Sequence, residues 1–191
     1  YSLGVHIVEQ LWTIPFAISV VLFSRTANSK DQNIMTQSTI SLARLSFIII
    51  FLLSVVVIFV APYIIPAVFG SEFNPSIEII NLMLPGVIIL VIFRVLSGQL
   101  AGMGKPYLAI YVFLPALIIN ILLNFLWIPE YGGKGAAWAS DISYAVGTFG
   151  YWLIYSREVK VGFFEILRFK KDDISIFIES KNKLKVNGKL K

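Results

Sequence analysis

The chain has no cysteine and a single histidine, His6, which rules out disulfides, thiolate metal sites and His-rich ligand sets. Charge is scarce as well. Only 14% of residues are Asp, Glu, Lys or Arg, against about 25% in a soluble domain. No GxSxG, HExxH or Walker A pattern occurs, so nothing points to an enzyme. The run from Gly102 to Pro106 lacks the spacing of a phosphate loop and reads as a tight turn. No nucleic-acid-binding motif is present. Neither an initiator Met nor a signal peptide precedes Tyr1, which already stands in an apolar stretch. The expectation is the C-terminal portion of a longer transporter-sized chain.

Apolar length is abundant: 57% of the 191 residues are hydrophobic. Five runs, residues 3–23, 45–65, 77–101, 107–127 and 136–155, reach the roughly 20 residues that cross a bilayer as a helix. Backbone groups in lipid must be satisfied within their own segment, and the alternation of a membrane barrel is missing. The fold class is therefore all-α, a polytopic transmembrane bundle over residues 1–156, followed by a basic tail over 157–191.

Bases collect in alternate connections. Arg25, Lys30 and Arg44 lie between the first and second spans, Lys105 between the third and fourth, and Arg157 and Lys160 after the fifth. Residues 70–76, between the second and third, hold Glu72 and no base, and the turn between the fourth and fifth holds Glu130 and Lys134. The positive-inside rule then puts the tail, the third–fourth turn and the first–second loop in the cytoplasm and starts the first span outside; the expected location is the inner (plasma) membrane. At least one earlier helix is implied.

The net charge of +5 sits entirely in the tail, which has ten bases and five acids, against six of each before it. Two readings stand for it. Phe163, Phe164, Ile166, Leu167 and Phe169 could lie in an anionic lipid interface, or the tail could be solvated, with disorder over residues 181–191.

Small residues recur every fourth position in the fifth span, at Gly135, Ala139, Ser143 and Gly147, and Gly98 and Gly102 form a GxxxG. Such stripes let helices approach closely. Pro15, Pro62, Pro85 and Pro115 interrupt the spans, either as static kinks or as bends used in motion.

Ionisable groups inside a span need a reason. Arg94 lies seven residues before Ala101, roughly 10 Å from the end of its helix. It either lines a cavity and binds an anion, or snorkels to the headgroups. His6, Glu9, Gln10 and Thr13 share one side of the first span. His6 and Glu9 are candidates for proton or sodium coupling, with a polar helix cap as the alternative. Asn120 and Asn124 stand four residues apart, and Asn124 is expected to approach Asp141 across the short turn between the last two spans. Those three residues either wall a sugar-binding cavity or fix helix packing.

Several stretches resemble the polysaccharide-biosynthesis and O-antigen flippases of the multidrug/oligosaccharidyl-lipid/polysaccharide exporter superfamily. These are Ile119 to Asn124, Ile128 to Gly132, and Gly135 to Ser140. Ile14-Pro15 with Ser19 to Arg25 is similar to the family's "IPxAISxVLxPR" segment, with Ser24 where proline is usual. Gly70, Phe73, Pro75, Leu82 and Pro85 follow its next loop and helix, and Leu100 to Pro106 its "LxAxGKP" turn. The resemblance covers residues 1–155; the tail departs from it.

The resemblance implies a transporter of twelve to fourteen helices in two bundles, of which this chain would hold the last five. Its activity would be to move polyprenyl-pyrophosphate-linked oligosaccharide to the outer leaflet by alternating access. An ion gradient or exchange would drive it, and no cofactor would be needed. Partners would be the lipid bilayer, the sugar-lipid, the missing N-terminal half and other polysaccharide-assembly proteins. Arg94, Asn120, Asn124 and Asp141 are the candidate substrate residues here. Rival readings are a multidrug cation exporter, favoured by Glu9 and Asp141, and a flippase for the peptidoglycan precursor. A glycan polymerase or ligase lacks the large outer loop it would need.

Overall fold

The computed structural model describes residues 1–168. Phe169, Lys170, Lys171 and the 181–191 stretch, on which part of the tail reading rests, lie outside the described residues. Within them the chain is all helix, with no strand. Six α-helices follow one another: α1 (Ser2–Glu9), α2 (Thr13–Ala27), α3 (Gln32–Phe69), α4 (Pro75–Gly102), α5 (Ile110–Tyr131) and α6 (Gly133–Glu158). Among the described residues, four stretches are long and apolar enough to cross a membrane: Ser2–Ala27, Gln32–Phe69, Ser71–Gly102 and Pro106–Tyr131. The fifth expected span, α6, has 26 residues and so has the length. Its stripe of Gly and Ser, with Asp141 and Thr148, makes it less apolar than the others.

The first expected span is two helices joined by a 3-10 turn over Gln10–Trp12. Pro15 has no N–H to give the Leu11 carbonyl, and the backbone tightens one turn ahead of it. Pro62, Pro85 and Pro115 stay inside unbroken helices.

The second expected span begins 13 residues earlier than apolarity suggests. Asp31 caps α3, its carboxylate accepting from the backbone N–H groups of Asn33 and Ile34. Residues 32–44 then continue the helix. The expected long connection shrinks to residues 28–31, and Arg44 belongs to α3, not to a loop.

Helices α2, α4 and α6 run the same way; α3 and α5 run back. At the centre, α4 packs against α1, α2, α3 and α6, while α5 packs on α6. Lipid tails are as apolar as Leu, so close contact rather than water exclusion holds such helices together. Glycines supply that closeness. A Cβ on Gly102 would stand 2.6 Å from the Phe23 carbonyl oxygen, and one on Gly98 would strike the Ser19 backbone. The α6 stripe faces α5, Gly135 lying against Trp127 and Gly147 against the Phe113 ring. Phe125, 81% exposed, typifies the outward face of α5.

The basic end of the bundle is tied together. Gln99, fully buried, donates to Thr36 Oγ1 at 2.7 Å and accepts from the Tyr155 hydroxyl at 2.5 Å, joining α3, α4 and α6. In the α4–α5 turn Lys105 Nζ meets Glu158 Oε2 at 2.5 Å, and that bond raises the pKa of the lysine above its ordinary value.

The start of the tail also docks on the protein. Phe163 stacks on Trp152 with centroids 4.3 Å apart, and Trp152 Nε1 donates to the Phe163 carbonyl at 3.1 Å. Ile166 is 1% exposed. Arg44, 4% exposed, donates through Nε to the Ile166 carbonyl at 2.9 Å, and also to the Glu165 carbonyl. Residues 163–166 thus form a clasp between α3 and α6, where a solvated tail or an interfacial one was expected. Phe164, 79% exposed, points away from the bundle.

Candidate functional site

Trp12, Arg94 and Tyr144 form one group where the 3-10 turn between α1 and α2 meets α4 and α6. Arg94 projects from α4. Helical side chains lean toward the N-terminal end of their own helix. Arg94 therefore reaches back, away from the basic end, and its guanidinium carbon lies 5.4 Å from the centre of the Trp12 ring. Snorkelling would take it the other way. The 3-10 turn ahead of Pro15 sets Trp12 in this position, and the Tyr144 ring braces it edge-on at 5.6 Å.

Arg94 is half-buried and has no ion pair among the described residues. Its Nε and the Trp12 Nε1 are both buried without a hydrogen-bond partner. Trp12 thus stands between Arg94 on one side and the Tyr144 ring on the other.

Asp141 does not meet Asn124. It faces Gly86 of α4, whose missing side chain makes room for it. The helical period explains this correction. Asp141 is two positions from both Ala139 and Ser143, about 200° around the helix from the stripe that faces α5. Asn124 donates to Asn120 Oδ1 at 2.9 Å instead. Asn120 lines a cleft of about 180 Å³ between α5 and α6, with Ser140, Ser143 and Tyr144 among its other walls. Nearer the basic end a second cleft of about 360 Å³ opens between α2 and the 3-10 turn Pro106–Ala109, over α4 and α6. Ser19, Phe23, Ser97 and Tyr151 are among its walls. His6 Nδ1 and Glu9 Oε2 stand 3.8 Å apart on the exposed side of α1.

Of the residues singled out from sequence, Arg94 meets Trp12, which Tyr144 braces, and Asn120 lines a cleft with Tyr144, while Asp141 stands at Gly86 and Glu9 beside His6. His6 stays at the edge. Trp12 and Tyr144 were not foreseen. Each follows a singled-out residue by three positions, Trp12 after Glu9 and Tyr144 after Asp141, and so shares its helix side. No cluster of His, Asp and Glu able to hold a metal ion occurs among the described residues.

The family model described as "Lipid II flippase MurJ" matches residues 11–180. The chain belongs to this family. Trp12, Arg94, Asn120, Asn124, Asp141 and Tyr144 fall inside the match; His6 and Glu9 precede it. Among curated proteins, the probable low-salt glycan biosynthesis flippase Agl15 of Haloferax volcanii is 30% identical over 81 residues. That region is 42% of this chain and 17% of the relative, so the chain spans only a small part of that relative's length. No solved structure matches. The sequence resemblance put polysaccharide flippases first and a peptidoglycan-precursor flippase among the rivals. Membership of the MurJ family gives that rival equal standing, and both belong to the flippases of lipid-linked cargo.

Proposed function

We propose that this chain is part of a flippase that carries a glycan on polyprenyl pyrophosphate between the leaflets of the plasma membrane, by alternating access. The basic end and the tail face the cytoplasm in this reading. One observation carries it: Arg94, a cation inside a span, is held over Trp12 without a carboxylate partner. A charge at such depth is costly unless it meets an opposite charge during function. A guanidinium suits pyrophosphate because its planar fork donates two parallel bonds. Asn120 and Ser140, in the neighbouring cleft, offer hydrogen bonds suited to sugar hydroxyls.

Family membership supports a lipid-linked cargo, and the name of the archaeal relative supports a glycan on it. The glycan is either the peptidoglycan precursor or an oligosaccharide for surface polysaccharide. A drug-cation exporter would place acids at the seat, whereas Arg94 lies over the Trp12 ring with no ion-paired acid among the described residues.

The test uses the full-length protein in a strain depleted of its own sugar-lipid flippase. Lipid-linked glycan is labelled from the outer face only, once with each candidate donor. Labelling should appear with the wild type and fall to background with Arg94→Ala at equal membrane insertion. Arg94→Lys should recover part of it, keeping charge but not the fork. Normal labelling by Arg94→Ala would make this arginine structural and remove the support for the reading.

A further inference from the structure

We infer that Trp12 is a ligand-binding residue: its indole N–H and the Arg94 guanidinium together form a two-donor seat for one phosphate oxyanion. The inference rests on the reading of Arg94 as the substrate cation and adds a second residue to it.

Stacking alone would not need tryptophan, because a phenyl ring also offers a π-face to a cation. Trp12 has in addition an N–H in its ring plane, and that N–H is buried without a partner. Buried donors are normally satisfied, and an orphan calls for an explanation. Here two orphans, Trp12 Nε1 and Arg94 Nε, belong to neighbouring groups whose ring centre and guanidinium carbon are 5.4 Å apart. Both donate only and neither can accept, so they cannot satisfy each other. An acceptor reached by both N–H groups would satisfy the pair, and the positive charge of Arg94 selects an anionic one.

The surroundings agree. Among the described residues no ion pair joins Arg94 to a carboxylate: Asp141 stands against Gly86, and Glu9 lies 3.8 Å from His6. Trp12 is also anchored from two directions, by the Tyr144 ring edge and by the 3-10 turn before Pro15. It presents its N–H in a fixed direction, so little ordering entropy is lost when an anion arrives.

The test measures binding to the full-length protein in nanodiscs, with polyprenyl pyrophosphate as probe and the polyprenyl alcohol of equal length as control. Trp12→Phe keeps the ring and removes the N–H. Replacing Trp12 by benzothienylalanine keeps the two-ring shape as well, should the phenylalanine variant prove unstable. Both should weaken pyrophosphate binding by about 10-fold or more, the size of a lost hydrogen bond to a charged group, and leave the alcohol unchanged. Wild-type binding by both, with Arg94→Ala impaired, would reduce Trp12 to a stacking platform and overturn the inference alone. Wild-type binding by Arg94→Ala as well would remove the proposed substrate seat with it.

Discussion

Gln99 shows what a single buried amide does in this bundle. Both of its ends are used, by Thr36 and by Tyr155, which come from different helices. Removing the tyrosine hydroxyl would strand the Gln99 carbonyl oxygen in a dry interior. Tyr155→Phe is therefore expected to cost about 1–3 kcal/mol, seen as a lower thermal midpoint in detergent. Tyr151→Phe, on the same helix and equally buried, removes no recorded bond and should cost less. Equal losses would mean that the Gln99 oxygen finds another donor. At this scale the sequence was legible wherever charge interrupts an apolar run. Arg94, Asp141 and Glu9 stood out for that reason. Trp12 and Tyr144 did not stand out, because an aromatic ring among apolar residues carries no local mark. Their roles come from three helices meeting.

Helices in this chain owe their contacts to residues that are small. The GxxxG of α4 is where α2 comes closest, and Gly98→Ala would drive a methyl into the Ser19 backbone. Overpacking of this kind costs roughly 1–3 kcal/mol. Gly104 is a different case: nothing stands within 4 Å of its missing Cβ, but its φ is +78°. Gly104→Ala should cost about 1 kcal/mol through backbone strain alone and leave the α2–α4 contact intact. Thermal midpoints rank the pair; a reversed order would show that the α2–α4 seam yields readily. The spacing of these glycines could be read directly from the sequence, as could the identity of the apolar helices. Where helices begin was harder. Residues 32–44 mix polar with apolar side chains, and apolarity alone starts the second span at Leu45, yet nothing in them breaks a helix and Asp31 caps one. Likewise the 3-10 turn at Trp12 follows from Pro15 only once neighbouring packing is known.

For the molecule as a whole, the clasp over residues 163–166 joins two helices that otherwise stand apart, α3 and α6. Because the chain has no cysteine, a single one can be placed without background. Ala43 is 1% exposed and lies beside Ile166. A cysteine at position 43 should resist a water-soluble maleimide in the full-length protein. It should react at least about tenfold faster when Arg44→Ala loosens the clasp or the chain is cut after Val161, since labelling follows local opening. Unchanged protection in both variants would show that α3 is held by α4 without the clasp. No sequence pattern announced this contact, because it depends on Trp152, Arg44 and Phe163 arriving together from distant parts of the chain.

The length of α3 has one more consequence. Its 38 residues make a rod about 57 Å long, nearly twice the hydrocarbon thickness of a bilayer. If its apolar half is seated in lipid, its polar end is a pointer standing clear of it. A tilt of about 10° swings the tip of such a rod through about 10 Å. A spin label at Asn33 would turn a small rocking of the bundle into a displacement large enough to measure.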